Sequence, residues 1–578
     1  MKAIKRILAT MMCLCLVFGC VSVTALAEEA NCSITVENQS GTNASVAGKI
    51  LNLFKIFSAT SDGENISYQW VTEIGGSNRY EEFFFGKDGT AGVTGKTSGT
   101  IHDVVEYING LKDNSFEFSQ MAAKLHTYIH EKGIAAEQSA AVPEGSTYYT
   151  FDNLELGYYL IYDATTLTSD TPAVRSAAMM THAGENKVIK LKADRPHIEK
   201  TVDDRDNGAD TADWKLGTTA SVGETVTFRI VTMIPNHDLY GDDYTFVITD
   251  KMADALELVD ADEDGKKDIQ VTVTEPAAAD DSEQALQAEL SYSIETDPAK
   301  MDADVDFKVT LNNITELQQD TVVEIIYKAK VTSAAGFKNI NTAILTYSND
   351  PHNLASTGSV EASASVMLWQ FTLTKYLEDA SGTPSYYRLG GAEFEIYSKN
   401  DLENPLKFIT TELTTSTGVK YLKYTFDPTN GTVTTLQTLD TGDDGKTDVE
   451  YTDGGHLGQI LIFGLGEGTY VIRETKAPAG YQVAKGDFEF TVTDTVGLSG
   501  TVSNATISEA TRTEAPGQFT RVLINETHQK YYVGITNAPG SALPETGGMG
   551  TMLFTVIGVV LMAGALAFFT LRKRSSAS

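Results

Sequence analysis

The sequence has few cysteines, and most of these lie in its first segment. Three of the four cysteines fall within the first 20 residues, so removal of a leader peptide leaves only Cys32. An exported chain with one cysteine forms no internal disulfide, and any covalent bracing must come from other chemistry.

Positive charge is also scarce. The chain has 44 Lys and Arg residues against 78 Asp and Glu residues, which gives a formal net charge of −34. This balance argues against binding to nucleic acid or to an anionic membrane surface, and it suits a soluble protein outside the cell. Tyrosine is abundant and proline is modest (25 and 14 residues), which favours a largely β protein without a long disordered stalk.

The first long apolar run predicts an export signal. Basic residues precede a run from Ile7 to Val23, and Ala25-Leu26-Ala27 forms a small-x-small cleavage site. We therefore predict a signal peptide at residues 1–27 and a mature chain that begins at Glu28. A lipoprotein signal ending at Cys20 is the alternative, but Phe18 is large for a residue just before the cleavage point.

The second long apolar run, Met552 to Leu571, lies at the opposite end and is followed by Arg572-Lys573-Arg574. About twenty such residues at ~1.5 Å rise give ~30 Å, enough to cross a bilayer. The basic triplet places the tail on the cytoplasmic side, so the preceding chain lies outside the cell. The short motif Leu543, Pro544, Glu545, Thr546, Gly547 precedes this run. Its proline fixes an extended kink, and its glycine leaves the neighbouring peptide bond uncrowded.

This C-terminal arrangement at residues 541–578 resembles the LPxTG sorting signal of Gram-positive surface proteins. The resemblance implies that a sortase cysteine attacks the carbonyl of Thr546, releases the chain from Gly547 onward and holds the protein as a thioester until an amine takes over the acyl group. The alternative is an ordinary membrane anchor preceded by a chance LPETG.

The length between the two signals suits about three domains, which we place at 28–193, 194–367 and 368–540. In the first, Ser33 to Val36 and Ile50 to Ile56 read as strands, while the apolar spacing from His102 to Lys132 changes to that of a helix. His126 and His130 stand four residues apart on this helix, but no third metal ligand is evident, so we interpret them as part of a solvated face.

Two segments repeat a pattern. Phe151 to Asp163 has a counterpart at Ile462 to Glu474, so the first and last domains look like diverged copies of one β-sandwich, with a helical insert in the first.

In the second domain, Ile198, Lys200 and Val202 share one face of a strand. An inward lysine is unusual because burying an unpaired ammonium is costly. An acid, Asp250, ends a later strand, and Asn341 starts the inward face of another.

Lys200, Asp250 and Asn341 resemble the isopeptide-forming middle domain of Gram-positive fimbrial proteins. The resemblance implies a Lys200–Asn341 bond promoted by Asp250. A dry site favours a neutral, nucleophilic lysine and a protonated acid, and folding supplies proximity. A buried Lys200–Asp250 salt bridge is the alternative reading, and Asn349 is the alternative amide.

The third domain repeats the inward lysine at Lys375, and Tyr470 to Tyr481 resembles the YxLxETxAPxGY signature of CnaB-type domains, with isoleucine at 472 for the leucine. That resemblance implies a Lys375–Asn537 bond promoted by Glu474. In the first domain no lysine precedes Lys49, which stands at the start of the second strand, so we predict no isopeptide bond there.

Acidic loops at 260–268 and 440–448 have oxygen ligands at calcium-loop spacing. Both lack an acid at the twelfth position, so we interpret them as acidic hairpin turns and leave calcium binding open.

Fimbrial subunits of this kind present a lysine just before the second domain, and we assign that role to Lys192, with Lys190 as the alternative. The resemblance as a whole implies a pilus backbone subunit, mainly β with tandem immunoglobulin-like (CnaA/CnaB-type) sandwiches, anchored to the cell wall. Its implied partners are pilin-specific and housekeeping sortases, further copies of itself, minor pilins and peptidoglycan. Contact with the membrane is expected only before sorting.

The competing interpretation is a non-polymerising wall-anchored adhesin, or a basal pilin that binds a host ligand. We find no motif of a nucleophile elbow, phosphate loop or zinc helix, so we predict a sortase substrate with single-turnover bond formation and no cofactor.

Overall fold

A computed structural model describes most of the chain between residues 32 and 575. The segments outside the description are 1–31, 41–42, 63–64, 74–75, 113–114, 169–172, 184–186, 205–210, 242, 261–265, 277–291, 313, 379–383, 415–419, 439–447, 451–456, 485, 494–505, 508–510, 513–530, 538–539, 541–548 and 576–578.

The first sandwich, which we define as residues 32–190, pairs a sheet ordered β5-β1-β8 with a sheet ordered β3-β2-β6-β7, and β4 joins β2. Its strands are β1 (Cys32–Glu37), β2 (Ile50–Ser61), β3 (Ile66–Trp70), β4 (Gln138–Ala141), β5 (Tyr148–Leu154), β6 (Gly157–Asp163), β7 (Met179–His182) and β8 (Lys187–Lys190).

Three helices lie between β3 and β4: α1 (Glu81–Phe85), α2 (Ile101–Gly110) and α3 (Phe116–Glu131). The helical spacing read from residues 102–132 is thus formed by two helices. Each begins at a hydroxyl residue: Thr100 forms a capping box with Asp103, and the side chain of Ser115 accepts a hydrogen bond from the backbone N–H of Phe118. Their apolar faces pack on the β2–β6 sheet through Phe54, Phe57 and Leu160.

The middle sandwich, residues 198–367, consists of two facing sheets. The first is ordered β10-β9-β12-β18-β14, with β15 paired to β18, and the second is ordered β11-β20-β19-β13-β17-β16. Its strands are β9 (Ile198–Asp203), β10 (Trp214–Lys215), β11 (Gly217–Thr219), β12 (Thr225–Met233), β13 (Phe246–Met252), β14 (Leu256–Leu258), β15 (Ile269–Thr274), β16 (Tyr292–Glu295), β17 (Phe307–Leu311), β18 (Val322–Val331), β19 (Lys338–Ser348) and β20 (Thr357–Met367). We call the first the lysine sheet and the second the acid sheet.

The C-terminal sandwich, residues 369–537, is built from a sheet ordered β24-β25-β28-β21-β22-β27, with β33 on β21, and a sheet ordered β26-β23-β29-β30-β31, with β32 on β30. Its strands are β21 (Trp369–Glu378), β22 (Pro384–Leu389), β23 (Glu393–Ser398), β24 (Phe408–Thr414), β25 (Lys420–Phe426), β26 (Leu436–Gln437), β27 (Asp448–Glu450), β28 (Gln459–Leu465), β29 (Gly468–Lys476), β30 (Phe488–Thr493), β31 (Thr506–Ile507), β32 (Thr511–Arg512) and β33 (Tyr531–Asn537).

The middle and C-terminal sandwiches meet at a tight junction. Only Leu368, which is fully buried, separates β20 from β21. The Oγ of Ser221 accepts a hydrogen bond of 2.9 Å from the backbone N–H of Gly466, and a Cβ at 466 would lie 2.7 Å from the Ser221 nitrogen. Glycine is required there because the two backbones approach so closely.

The last described element is α4 (Met549–Ser575). Its residues Leu553–Arg572 form the one helix in the described part of the chain that is long and apolar enough to cross a membrane, with a mean hydropathy of 2.3. It is not packed against the sandwiches. The chain is mainly β, as the sequence predicted, with an apolar C-terminal helix.

Candidate functional site

Lys200 lies inside the middle sandwich. Residues alternate between buried and partly exposed positions along β9, and Lys200 shares the buried face with Ile198 and Val202. Its ammonium nitrogen lies 5.5 Å from the ring centroids of both Phe228 and Tyr327. The lysine of the predicted triad is therefore fully buried among aromatic rings.

The acid and the amide face Lys200 from the opposite sheet. Asp250 lies on β13 and Asn341 on the adjacent β19, where the antiparallel register pairs Met252 with Asn341. The Nζ of Lys200 donates hydrogen bonds to Asp250 Oδ2 and to Asn341 Oδ1. The structure thus brings Lys200, Asp250 and Asn341, which we call the middle cluster, into direct contact.

Burial favours the uncharged forms of both ionisable groups in this cluster. Desolvation lowers the pKa of Lys200 to about 8, although the Asp250 carboxylate opposes the shift. Desolvation likewise raises the pKa of Asp250, against the attraction of Lys200. A neutral amine beside a protonated acid is the state in which the amine can act as a nucleophile.

A fourth polar residue, Tyr327, completes the cluster and was not predicted from the sequence. Its hydroxyl donates a hydrogen bond of 2.9 Å to Asp250 Oδ2 and accepts one of 2.8 Å from Asn341 Nδ2. Tyr327 lies on β18 in the lysine sheet, where its buried position alternates with exposed residues. That alternation is a sequence signal for an inward tyrosine, but it does not reveal the partners.

Asn349, the alternative amide, lies elsewhere. Its Oδ1 accepts a hydrogen bond of 2.8 Å from Ser356 Oγ, and its Nδ2 donates one of 3.3 Å to the carbonyl of Ala173 in the first sandwich. The geometry therefore favours Asn341 over Asn349 as the partner of Lys200.

The C-terminal sandwich contains a second buried group, which we call the C-terminal cluster: Lys375, Glu474 and Asn537. The Nζ of Lys375 lies 3.0 Å from Glu474 Oε1. The Nδ2 of Asn537 donates a hydrogen bond of 2.9 Å to Glu474 Oε2 and another to the carbonyl of Gln482. All three side chains are buried, so the glutamate bridges amine and amide in a dry site.

The two clusters connect different parts of their sandwiches. In the middle sandwich the lysine and the asparagine lie on facing sheets. In the C-terminal sandwich β21 and β33 are parallel neighbours, with Leu377 opposite Asn537. A bond at Lys200 would join two sheets, whereas a bond at Lys375 would join the first and last strands of one sheet.

The first sandwich holds a buried ion pair in place of such a cluster. The Nζ of Lys49 lies 2.6 Å from Asp163 Oδ2 and donates a hydrogen bond of 2.7 Å to the carbonyl of Val174. The backbone N–H groups of Thr165 and Ser176 also donate to the Asp163 carboxylate. Among the described residues no asparagine side chain is hydrogen-bonded to Lys49. The carboxylate has the partners of an anion, which favours a permanent ion pair.

The interpretation of His126 as solvated is wrong. Its ring stacks on Tyr162 with a centroid distance of 3.3 Å, and His352 of the middle sandwich approaches the same tyrosine at 5.2 Å. Burial is the main cause that lowers the pKa of His126 to about 4, and the electrostatic effect of the nearby His352 is the second. The helix face packs against the middle sandwich, a contact that helical periodicity does not show. No cluster of metal-binding side chains occurs within the described ranges.

The two candidate linkage lysines differ in their surroundings. Lys190 is exposed and forms an ion pair with Glu37. Lys192 is half-buried, and its Nζ lies 5.8 Å from the ring centroid of Phe118. Its backbone N–H donates to Ser176 Oγ, so the main chain at 192 is fixed against the first sandwich.

Several predicted features lie outside the described residues. These are the signal peptide at 1–27, the sorting motif from Leu543 to Gly547, and most of the acidic loops at 260–268 and 440–448. Calcium binding by these loops stays an open prediction.

Comparison with family models identifies two parts of the chain. Residues 383–506 match the SpaA model, a prealbumin-like fold domain, and residues 536–576 match the LPXTG cell wall anchor motif. Comparison with curated protein sequences found no match. The anchor match shows a secreted protein that is anchored to the cell wall and carries the recognition signal of a sortase, as predicted.

Solved structures similar to this chain include several major pilins. The T6 backbone pilin of serotype M6 Streptococcus pyogenes is 15% identical, with 89% of this chain and 100% of that chain covered and a TM-score of 0.45. The full-length major pilin SpaD from Corynebacterium diphtheriae is 16% identical, with 88% of this chain and 98% of that chain covered and a TM-score of 0.37. The full-length major pilin RrgB from Streptococcus pneumoniae is 15% identical, with 88% of this chain and 100% of that chain covered and a TM-score of 0.36.

Proposed function

We propose that this wall-anchored protein is the backbone subunit of a covalently polymerised pilus. The observation that supports this function best is the presence of two buried lysine–acid–asparagine clusters in a chain that ends in a cell wall anchor motif. A load-bearing exported protein with one cysteine needs covalent bracing other than disulfides. The two clusters have the groups to form it, one in each of the proposed domains 194–367 and 368–540.

Each cluster forms one amide bond. The neutral Nζ of the lysine attacks Cγ of the asparagine, a bond forms between these atoms, and the bond from Cγ to Nδ2 breaks. One ammonia leaves, and the acid, Asp250 or Glu474, returns to its starting protonation state. The reaction occurs once because the lysine is consumed. The buried sites supply proximity, and in the middle cluster burial also shifts the pKa values of Lys200 and Asp250 towards their neutral forms.

Peptide mass spectrometry of the full chain tests this chemistry. A digest is expected to contain two branched peptides, Lys200 joined to Asn341 and Lys375 joined to Asn537, each lighter by one ammonia than its two parts. Glu474→Gln is expected to remove the second and retain the first. Recovery of both lysines on linear peptides would refute the bracing.

Polymerisation uses Thr546 and Lys192, and force along the pilus would enter and leave each subunit at these two residues. A pilin-specific sortase forms a thioester with Thr546 of one subunit, and the amine of Lys192 on the next subunit takes over the acyl group. A housekeeping sortase transfers the last subunit to peptidoglycan, and minor pilins join by the same chemistry. Lys192 is preferred over Lys190 because it lies in the connection between β8 and β9, whereas Lys190 belongs to β8 and its amine forms an ion pair with Glu37.

We expect Lys192→Ala to abolish the ladder of SDS-resistant multimers in cells that express the sortase. Lys190→Ala is the matched control and is expected to leave the ladder intact, since Lys190 forms an exposed ion pair that contributes little. Immunoblots of wall extracts provide the measurement. A ladder in the Lys192 variant would assign linkage to another lysine, and no ladder in the unmodified protein would favour a monomeric adhesin.

A further inference from the structure

The acids of the two clusters differ in whether they contact both the lysine amine and the asparagine amide. Glu474 contacts the lysine amine with one oxygen and the asparagine amide nitrogen with the other, at 3.0 and 2.9 Å. Asp250 is shorter by one methylene. Within the described residues it contacts Lys200 but makes no hydrogen bond to Asn341. The hydroxyl of Tyr327 occupies the gap, 2.9 Å from Asp250 Oδ2 and 2.8 Å from Asn341 Nδ2.

We infer that Tyr327 is a catalytic residue of the middle cluster, where its hydroxyl relays a proton from Asp250 to the departing nitrogen of Asn341. The inference rests on the isopeptide chemistry proposed above and names a group that this chemistry needs. Asp250 and Tyr327 together do in one sandwich what Glu474 does alone in the other.

Attack of the Lys200 amine on Cγ moves the carbonyl electron pair onto Asn341 Oδ1 and gives a tetrahedral carbon with a negative Oδ1, a positive Nζ and a basic Nδ2. Nζ releases a proton to Asp250 Oδ2, Asp250 passes a proton to the tyrosine oxygen, and Tyr327 gives its own hydroxyl proton to Nδ2. The electron pair on Oδ1 then re-forms the carbonyl, the bond from Cγ to Nδ2 breaks and ammonia leaves. Asp250 and Tyr327 end in the protonation states in which they began this step.

The packing around Tyr327 suits a relay. The ring is buried, stacks on Phe228 at 5.6 Å and meets the edge of Phe307 at 4.8 Å, so the hydroxyl is held in one place. Burial raises the pKa of Tyr327 well above its ordinary value. The hydroxyl therefore keeps its proton until Nδ2 becomes basic, and the exchange along the chain of hydrogen bonds leaves no isolated tyrosinate.

Tyr327→Phe tests the inference in the full chain, because it removes the hydroxyl and keeps the ring. Tyr347→Phe is the matched control: Tyr347 is also fully buried in the middle sandwich, on the same strand as Asn341, and its hydroxyl has no hydrogen-bond partner among the described residues. Pulse-labelled chains are quenched at intervals, digested, and scored for the two branched peptides.

We expect Tyr327→Phe to slow formation of the Lys200–Asn341 peptide by about 10²-fold or more, which is the usual contribution of a positioned proton donor. The Lys375–Asn537 peptide in the same molecules should form at the normal rate, which also shows that the chain is folded. Tyr347→Phe should leave both rates unchanged.

Three outcomes would overturn the relay: a normal rate for the Lys200–Asn341 bond in Tyr327→Phe, equal slowing in Tyr347→Phe, or equal slowing of both bonds in Tyr327→Phe. Failure of the proposed chemistry itself looks different, because the unmodified protein would then contain neither branched peptide.

Discussion

A single molecule pulled between residue 192 and the sorting motif is expected to lengthen by no more than about 120 Å, at ~3.4 Å per residue, before a covalent bond breaks. The two proposed bonds divert the load from Lys200 to Asn341 and from Lys375 to Asn537. Only the stretch from 341 to 375 then remains unbridged within the sandwiches, and it consists mainly of the β19–β20 hairpin.

Removing either bond should release a much longer segment. Lys375→Ala exposes residues 375–537 to the load, which adds roughly 500 Å of extension. Lys200→Ala exposes residues 200–341 in the same way. Force spectroscopy with handles at Lys192→Cys in a Cys32→Ser background and just before Leu543 provides the measurement. Long extensions in the unmodified protein would contradict the proposed load path.

The first sandwich serves as the internal control for this experiment. It precedes residue 192 and therefore lies beside the load path, and its Lys49–Asp163 pair has the contacts of a permanent ion pair. Lys49→Ala should leave the extension curve unchanged, although it destabilises the first sandwich by leaving a buried carboxylate without its partner.

Asn537→Ala and Lys375→Ala are expected to lower the melting temperature of the C-terminal sandwich by different amounts. Both remove the cross-link, which closes a loop longer than 100 residues and constrains the unfolded chain by about 4–5 kcal/mol in the chain-entropy model. For a domain of this size that loss is worth about 10–20 °C. Asn537→Ala keeps the Lys375 amine as a partner of Glu474, whereas Lys375→Ala leaves the buried Glu474 without it, at a further cost of about 1–3 kcal/mol.

Calorimetry and protease resistance of the full chain measure this difference. The middle sandwich provides the reference, because its bond is intact in both variants. A melting temperature of Asn537→Ala equal to that of the unmodified protein would show that the C-terminal cluster contributes no cross-link. Equal losses in the two variants would show that the contact between Lys375 and Glu474 adds no stability once the cross-link is absent.

The two clusters achieve the same arrangement with different residues. In the C-terminal sandwich the acid reaches both reacting groups, and the asparagine lies on the strand beside the lysine. In the middle sandwich the asparagine lies on the facing sheet, and a tyrosine extends the reach of a shorter acid. Different sheet topologies can thus place an amine, an acid and an amide within one dry site.

Local patterns of residues were sufficient to predict several features of the chain. The C-terminal anchor follows from the order of motif, apolar length and charge, and similar reasoning predicts the signal peptide at 1–27. The inward positions of Lys200 and Lys375 follow from the two-residue period of a strand. The residue types of both clusters were recognised because a lysine, an acid and an asparagine stand at strand positions in the order that the resemblance to fimbrial proteins implies.

The pairs of residues that come into contact could be identified only from the folded chain. It placed Asn341 rather than Asn349 at Lys200, added Tyr327 to the cluster, and packed His126 against Tyr162 near His352 of another sandwich. The physical reason is that periodicity reports which side of a strand or helix faces inward, whereas contacts between facing sheets depend on register and sheet order set by the whole core.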